Sequence, residues 1–441
     1  MRHFTFRLFA SATLLVSIVA CNHKAPSVAE HGVPAPEDVV MYEINPRVFA
    51  PDHSFNAVAK QLDSIQSLGV NVVWFMPLYV TGVEKAKNSP YCIKDYNALN
   101  PEFGTLEEFK AMVDECHARG LSVIMDWVAN HTSWDNAWVT EHPDWYTQDE
   151  NGNIIHPAGT NWEDVADLNF DNAEMRLAMI DAMKWWVDEA DVDGFRCDAA
   201  DFVPFDFWKQ AVDSLRAMPK DLLLLAEGSR KDHFEAGFQM NYAWNLMHSM
   251  RQVFIKGEPA TRLIEADKEE YEGIPEGCVK LRFTTNHDES NHLTPVGEYG
   301  GERGSMSAFV IATYLHGGAL IYSSQEVGYP DPINFFHYVP VDWESNKEIR
   351  AEYKKLMALY NESDAIRKGT LVTYPEDNAM VFSKTAGKEK YLIIASVRNE
   401  PVTVAVPDAW KGKTAVNAIT GGEIHLQETL ELEPYQYLIL K

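Results

Sequence analysis

The chain has 441 residues, 46% of them hydrophobic and 23% charged, a balance typical of a folded globular protein with a large core. Its 38 Lys and Arg stand against 65 Asp and Glu, so the formal net charge is −27. A surface this acidic repels phosphate backbones and anionic headgroups, which argues against nucleic acid as a partner. A neutral ligand meets no such penalty, and the many aromatic residues supply flat faces for stacking.

The first residues of the chain are predicted to be a targeting segment rather than part of the folded domain. Two arginines lead into an apolar run, Leu8–Ala20, that ends before Cys21. This pattern resembles a bacterial lipoprotein signal, which predicts cleavage before Cys21 and a lipid on that residue. We therefore expect a signal peptide over residues 1–20, a flexible tether over 21–37, and an exported protein held to a membrane only through this lipid, in the periplasm or at the cell surface. An ordinary secretory signal with an incidental cysteine is the alternative.

The next part of the chain alternates short apolar runs with longer helical patterns, which is typical of parallel β/α units. Eight runs predict strands: Val39–Val48, Asn71–Pro77, Ser122–Val128, Gly194–Ala199, Leu222–Glu227, Gln239–Trp244, Lys280–Thr285 and Ala319–Tyr322. Helices are predicted between them, among others over Phe55–Leu68, Thr105–Arg119, Ala173–Ala190 and Glu302–His316. The fold class is therefore α/β, with a (β/α)8 barrel over residues 38–364.

Two segments depart from this repeat. Residues 130–172, after the third strand, are rich in Trp, Asn, Asp and Pro, and they are too long for an idle loop. We expect a small inserted subdomain there that helps to build the rim of a site. After residue 364 the helical period gives way to alternating, strand-like segments, which predict a C-terminal antiparallel β-sandwich domain over 365–441.

Charged and polar residues follow the apolar runs at the carboxyl ends of five predicted strands. In a (β/α)8 barrel the functional groups stand at these carboxyl ends, so the side chains should meet at one mouth. The five ends are Asp126–His131, Arg196–Ala200, Glu227–Gly228, Asn286–Asp288 and Gln325–Glu326. Each alone is a common turn or cap, but together they predict one site.

Four of these segments, DWVANH (126–131), GFRCDAA (194–200), AEG (226–228) and TNHD (285–288), resemble the signature segments of the α-amylase family, glycoside hydrolase family 13. The first strand, YEINPRVF (42–49), fits the same pattern, so the resemblance covers nearly the whole chain after the signal. It implies a retaining hydrolase of α-glucosidic bonds in starch-like α-glucans or malto-oligosaccharides, acting through a covalent glycosyl-enzyme and requiring no cofactor for the chemistry.

Retaining cleavage needs two carboxyl groups about 5–5.5 Å apart, which neighbouring strand ends can supply. Asp198 and Glu227 are that pair. The resemblance makes Asp198 the nucleophile, Glu227 the general acid/base and Asp288 the carboxylate that holds the sugar hydroxyls. Glu227 must have a raised pKa, and we expect the negative charges of the other two carboxylates to raise it. Arg196 should keep Asp198 ionised.

The resemblance also implies substrate contacts. Besides Arg196, it assigns His131 and His287 as hydrogen-bond donors to the sugar and Tyr91 as a stacking platform. Other residues are expected to be scaffold, in ion pairs, caps or buried contacts: Arg47, Asp95, Asp126 and Glu326. Four tryptophans of the insertion are either sugar platforms or core: Trp134, Trp138, Trp145 and Trp162.

The sequence departs from the family at two places. Many members have Lys-His three and four residues after the nucleophile, where this chain has Asp201-Phe202, and Ser89-Pro90 stands where His-Gly is common. The family's His carbonyl helps to hold calcium. Asn130 and Asp167 remain as candidate oxygen ligands for a structural calcium ion.

Three alternatives stay open at this stage. An α-glucan transglycosylase would use the same intermediate with a sugar hydroxyl as acceptor. A noncatalytic glucan-binding lipoprotein would be expected to have lost one of the three carboxylates, and a metal-dependent hydrolase would need more histidine ligands than the first strand offers. The sequence leaves the preferred linkage undetermined.

Overall fold

A computed structural model describes Met1 and residues 32–441. The predicted signal peptide, the proposed lipid site Cys21 and most of the predicted tether lie outside the described residues. Within residues 32–441 no helix combines the length and the apolar character needed to cross a bilayer.

Eight parallel strands close into a barrel, and all eight coincide with predicted strands. They follow one another around the barrel in chain order, and the last pairs with the first, for example Val40 with Ala319. Their bounds are β1 Val40–Ile44, β2 Val72–Phe75, β3 Ser122–Trp127, β4 Gly194–Cys197, β5 Leu223–Ala226, β6 Met240–Tyr242, β7 Val279–Arg282 and β8 Gly318–Tyr322. The (β/α)8 prediction is thereby confirmed.

Helices surround the barrel. The long ones are α1 Ser54–Gln66, α2 Leu106–Ala118, α3 Ala173–Ala190, α4 Phe205–Arg216, α5 Trp244–Lys256, α6 Thr261–Tyr271, α7 Glu302–Leu315 and α8 Lys347–Glu362. Short helices cover Ala137–Glu141, Asp232–Ala236, His287–Ser290, Pro295–Glu298 and Asp364–Lys368, and 3-10 turns cover Pro36–Asp38, Pro46–Val48, Pro143–Trp145 and Gln325–Val327. Local sequence fixes their starts: α2 begins at a reciprocal Thr105/Glu108 capping box.

The insertion after β3 is built on a two-stranded ribbon, in which His131–Ser133 pairs with Val165–Asp167. Its tryptophans divide between the two roles left open by the sequence. Trp145 is buried in the main core, whereas Trp162 reaches the wall of the catalytic cavity. A second ribbon, Tyr79–Thr81 with Ile93–Leu99, carries the loop that presents Tyr91.

The C-terminal region contains antiparallel strands, as predicted. Their bounds are β9 Thr370–Tyr374, β10 Ala379–Ala386, β11 Glu389–Ser396, β12 Val402–Ala405, β13 Thr414–Val416, β14 Glu423–His425, β15 Thr429–Leu432 and β16 Tyr437–Leu440. One sheet has the order β9-β10-β11-β16, and β12 pairs with β15 and β13 with β14.

The four-stranded sheet is apolar on both faces. Phe382 and Ile393 belong to the same core as the barrel, whereas Val381 and Ile394 pack into a second cluster with Val404. The sheet therefore shares its inner layer with the barrel. The boundary at residue 365 and the sandwich assignment stay predictions.

Candidate active site

The three predicted catalytic carboxylates meet at the carboxyl ends of the barrel strands. Asp198 follows β4, Glu227 follows β5, and Asp288 lies on the short helix after β7. They line one cavity of about 210 Å³. The remaining lining residues are Ser89, Tyr91, His131, Trp162, Asp164, Val165, Ala199 and His287.

Arg196 links the carboxylates beneath this cavity. Its side chain is 0% exposed, and Nη1 lies 2.9 Å from Oδ1 of Asp198 and 2.9 Å from Oδ1 of Asp126. Nη2 lies 3.0 Å from Oε2 of Glu227. The predicted nucleophile and the predicted acid/base are thus held by one guanidinium, and Asp126 binds the same group and fixes its orientation.

Asp198 and Glu227 also lie close enough to affect each other's charge, since the negative charge of Asp198 raises the pKa of Glu227. The backbone N–H of Ala199 donates to Glu227 Oε2 at 2.6 Å. Ala199 adopts a left-handed φ of 44° to do so, a conformation that costs a non-glycine residue energy. Two carboxyl groups that bind the same guanidinium suit retention, because inversion needs a wider gap that admits water.

Burial sets the protonation of Glu227. Desolvation raises its pKa to about 7, Arg196 opposes the rise, and the negative charges of Asp198 and Asp288 reinforce it. The two neighbouring carboxylates therefore act in the predicted direction, but burial is the larger cause. A group with this pKa is about half protonated at pH 7, which suits a general acid.

Burial also raises the pKa of Asp198, against the lowering effect of Arg196. Arg196 acts as predicted, yet desolvation outweighs it. Asp288 stands nearer the opening, with 46% of its side chain exposed, and desolvation raises its pKa as well. The site is therefore a coupled set of carboxyl groups that titrate together.

His287 and Tyr91 form one wall. His287 Nε2 lies 2.6 Å from the Tyr91 hydroxyl, and the two rings stack with centroids 5.4 Å apart and a 19° interplanar angle. On its other side, His287 Nδ1 lies 2.5 Å from Glu43 Oε1. These contacts hold the His287 ring in place. Tyr91 stacks on His287 and also lines the cavity.

His131 stands on the wall formed by the insertion. It is 5% exposed, its ring meets Trp162 edge-on at 5.8 Å, and Asn130 Nδ2 lies 3.2 Å from its Nδ1. Burial lowers the pKa of His131 to about 4. It therefore faces the cavity as a neutral imidazole.

Sequence reasoning did not identify three residues at the site. Ser89 and Asp164 line the cavity, and Glu43 lies behind His287. Glu43 could have been found from the sequence, because it is a carboxylate within the otherwise apolar β1. Burial of an unpaired charge is costly, so such a residue is expected to have a partner. Asp164 immediately precedes the ribbon strand that pairs with His131.

Residues expected to be scaffold lie in structural contacts. Arg47 is bound to Glu102 at 2.8 Å, and Asp95 accepts a hydrogen bond from the backbone of Asn97. Glu326 accepts the Tyr42 hydroxyl at 2.8 Å and lies 3.8 Å from Arg350.

The candidate calcium ligands do not form a convincing cation site. The side-chain amide nitrogen of Asn130 lies against His131, and the backbone carbonyl of Asn130 accepts the Leu168 N–H. The backbone carbonyl of Asp167 accepts the Thr147 N–H at 3.0 Å. Over the described part of the chain no group of three or more His, Cys, Asp or Glu is arranged to hold a metal. The donor set does not fit a calcium cage, so no step is assigned to this ion.

The segment three and four residues after Asp198 differs from the family pattern. The Asp201 carboxylate turns to the β5 loop and accepts the backbone N–H groups of Ser229 and Arg230 at 3.0 and 3.2 Å. Phe202 is 53% exposed and packs on Trp162 with ring centroids 5.1 Å apart. An aromatic pair therefore borders the cavity where Lys-His is common.

Comparison with known proteins identifies the family of the chain. The family model described as "Alpha amylase, catalytic domain" matches residues 52–405. The chain is 28% identical over 400 residues to the α-amylase MalA of Haloarcula japonica, covering 86% of this chain but 58% of that protein. It is 27% identical to a cyclomaltodextrinase of Geobacillus thermopakistaniensis, covering 87% and 69%.

Among solved structures, the maltogenic α-amylase AmyB of Thermotoga neapolitana superposes with a TM-score of 0.84 at 26% identity, covering 92% of this chain and 99% of that one. A family model that spans most of the barrel and a matching fold lead to one conclusion. The chain belongs to the α-amylase family of glycoside hydrolases.

Proposed function

We propose that the protein is a retaining hydrolase of α-glucosidic bonds in malto-oligosaccharides and related α-glucans. One observation carries this proposal: Asp198 and Glu227 share Arg196 at the floor of a cavity that Asp288 also lines. The charge arrangement supplies an anionic nucleophile and a protonated acid in the same cavity at neutral pH.

The reaction proceeds in two displacements. Asp198 attacks the anomeric carbon while the glycosidic C–O bond breaks and the Glu227 proton passes to the leaving oxygen, which gives a covalent glycosyl-enzyme. Glu227, now ionised, takes a proton from water as that water attacks the same carbon, and Asp198 leaves as a carboxylate. Asp288 and His287 hold the sugar hydroxyls as positive charge develops on the ring.

Hydrolysis is favoured over transfer because the relatives of the chain include a cyclomaltodextrinase and a neopullulanase. A product profile on maltoheptaose, pullulan and trehalose tests this choice. We expect shorter linear products with water as acceptor. Products longer than the substrate would indicate transfer instead.

The roles of the two carboxylates have a direct test. Asp198→Asn keeps the side-chain shape but removes the attacking charge, so turnover should fall by about 1,000-fold or more. A mechanism-based fluoroglycoside should label Asp198 in the native protein. Asp95→Asn, an exposed acid on a ribbon, is the matched control and should retain activity. A label on Glu227, or near-native turnover of Asp198→Asn, would overturn the assignment.

We further propose that the mature protein is exported and held to a bacterial membrane, in the periplasm or at the cell surface, through a lipid on Cys21. The charged start, the apolar run and the cysteine that follows it support this proposal. Cys21→Ala should move the protein from the membrane fraction to the soluble fraction. A variant that stays with the membrane would contradict lipid anchoring at this residue.

A further inference from the structure

The loops that follow β1, β2 and β8 are tied together beside Tyr91. Arg47, which follows β1 and is 2% exposed, donates from Nη1 to two backbone carbonyls, each at 3.0 Å. One belongs to Asn88 in the loop after β2, the other to Phe335 in the loop after β8. The side-chain amide of Asn88 donates to the backbone carbonyl of Phe336. We call Arg47, Asn88, Phe335 and Phe336 the clamp.

Further contacts hold the clamp in place. Arg47 donates from Nε and from Nη2 to the Glu102 carboxylate, each bond 2.8 Å long, and such a bidentate pair fixes the plane of the guanidinium. Phe335 is 7% exposed. The centroid of its ring lies 5.9 Å from that of Tyr91 and 5.6 Å from that of His287. The clamp therefore packs directly against the wall of the catalytic cavity that these two rings form.

The clamp lies across the barrel from the predicted acid/base. Glu227 follows β5, and β5 is four strands away from β1 in either direction around the closed barrel. The strands that flank β1 are β2 and β8, which are the strands whose loops the clamp joins. The clamp therefore stands on the side of the barrel mouth opposite to Glu227.

The chemistry of the reaction fixes which part of a substrate faces the clamp. Glu227 gives its proton to the oxygen that leaves the anomeric carbon, so the departing part of the glucan lies on the Glu227 side. In an α-1,4-glucan the next sugar toward the non-reducing end is attached through the 4-hydroxyl, which lies across the ring from the anomeric carbon. That next sugar would extend away from Glu227 and toward the clamp.

The enclosed space suits a single sugar ring. The catalytic cavity has a volume of about 210 Å³, whereas pockets that enclose drug-sized ligands measure roughly 300–1,000 Å³. Building on the hydrolase function proposed above, we propose that the protein removes one glucosyl unit at a time from the non-reducing end of malto-oligosaccharides, because the clamp closes the site beyond that unit. A glucan threaded through the site for internal cleavage would have to pass the joined loops.

Two forms of maltoheptaose test the proposal, one free and one whose non-reducing end carries a 4,6-O-benzylidene group. Early in the reaction the native protein should release glucose and maltohexaose from the free form. It should cleave the blocked form about 100-fold more slowly or less, because the blocking group collides with the closed end. Comparable cleavage of the blocked form, or maltose or internal fragments as first products, would overturn this proposal and leave the hydrolase function standing. Cleavage of neither form would overturn both.

Asn88→Gly tests the clamp itself. Asn88 has a left-handed φ of 63°, which glycine adopts without strain, so the variant keeps the course of the backbone and loses the amide that binds Phe336. The opened contact should raise the share of maltose among the first products by about twofold or more, since a second ring gains space. A product pattern equal to that of the native protein would show that the clamp does not close the site.

Lys87→Gly is the matched control. Lys87 precedes Asn88, has a left-handed φ of 49° and is exposed, so this variant introduces the same backbone freedom in the same loop without removing the amide of Asn88. It should keep glucose and maltohexaose as first products. If it raised the share of maltose as much as Asn88→Gly does, the mobility of the loop rather than the clamp would set the product, and the proposal would be wrong.

Discussion

At the scale of single residues, the pKa values of the predicted catalytic pair, Asp198 and Glu227, depend on a balance between burial and one guanidinium. Arg196 lowers the pKa of both Asp198 and Glu227, while desolvation raises both. Motif spacing predicted which carboxylates meet. It could not predict that burial dominates their protonation, because burial depends on walls supplied by the insertion and by the β2 loop, whose course is not visible in the sequence.

The Glu227 pKa predicts the alkaline limb of the activity profile. Glu227 must be protonated to act as an acid, so kcat/KM should fall as the pH rises through about 7. The negative charge of Asp288 raises this pKa, so Asp288→Asn should move the limb to lower pH by roughly one unit, besides reducing the rate. Initial rates on maltoheptaose between pH 5 and 9 measure both effects.

Asp171→Asn is the control for this shift, because Asp171 is exposed and outside the cavity. Its pH profile should match that of the native protein. If the alkaline limb of Asp288→Asn lies at the same pH as that of the native protein, the charge of Asp288 does not raise the pKa of Glu227.

At the scale of elements, the apolar runs predicted all eight barrel strands because a strand buried on both faces is mostly apolar, even where single charged residues such as Glu43 and Arg196 interrupt it. The helices followed from their period and caps. The structures after residue 130 were harder to predict. A ribbon, a short helix and several turns make up the insertion, and nothing local distinguishes the buried Trp145 from Trp162 at the cavity.

The cap of α2 gives a prediction at this scale. Thr105 accepts the backbone N–H of Glu108 while Glu108 accepts that of Thr105, so Thr105→Ala removes half of a reciprocal pair. The free energy of unfolding should fall by about 1 kcal/mol, with kcat/KM unchanged. Urea denaturation measures the change. Thr140→Ala, which removes a hydroxyl that bonds only within a short helix, should cost less; an equal cost would argue against the cap.

At the scale of the whole molecule, the barrel and the C-terminal sheet share a core. The inward face of β11, represented by Ile393, belongs to the barrel cluster, whereas its neighbour Ile394 belongs to the outer one. Both side chains are 0% exposed. Because the inner face is common to both parts, the sheet and the barrel should unfold together.

Two truncations test this coupling. Ile393→Ala and Ile394→Ala should each cost about 2–5 kcal/mol, since each leaves a buried cavity. In both variants we expect helical circular dichroism and enzymatic activity to be lost in one transition at a lowered temperature. If Ile394→Ala melted the sheet while the barrel stayed active, the two parts would be separate folding units.

The cavity lining has a consequence for which glycosides can enter. Asp164, Asp198, Glu227 and Asp288 face this space, and among the described residues that line it none is Lys or Arg. Arg196 lies beneath them and its charge is already shared among carboxylates. A phosphate or carboxyl group on the incoming ring would meet repulsion that no opposing cation relieves. We therefore expect the pocket to favour uncharged sugars over their phosphorylated and oxidised counterparts.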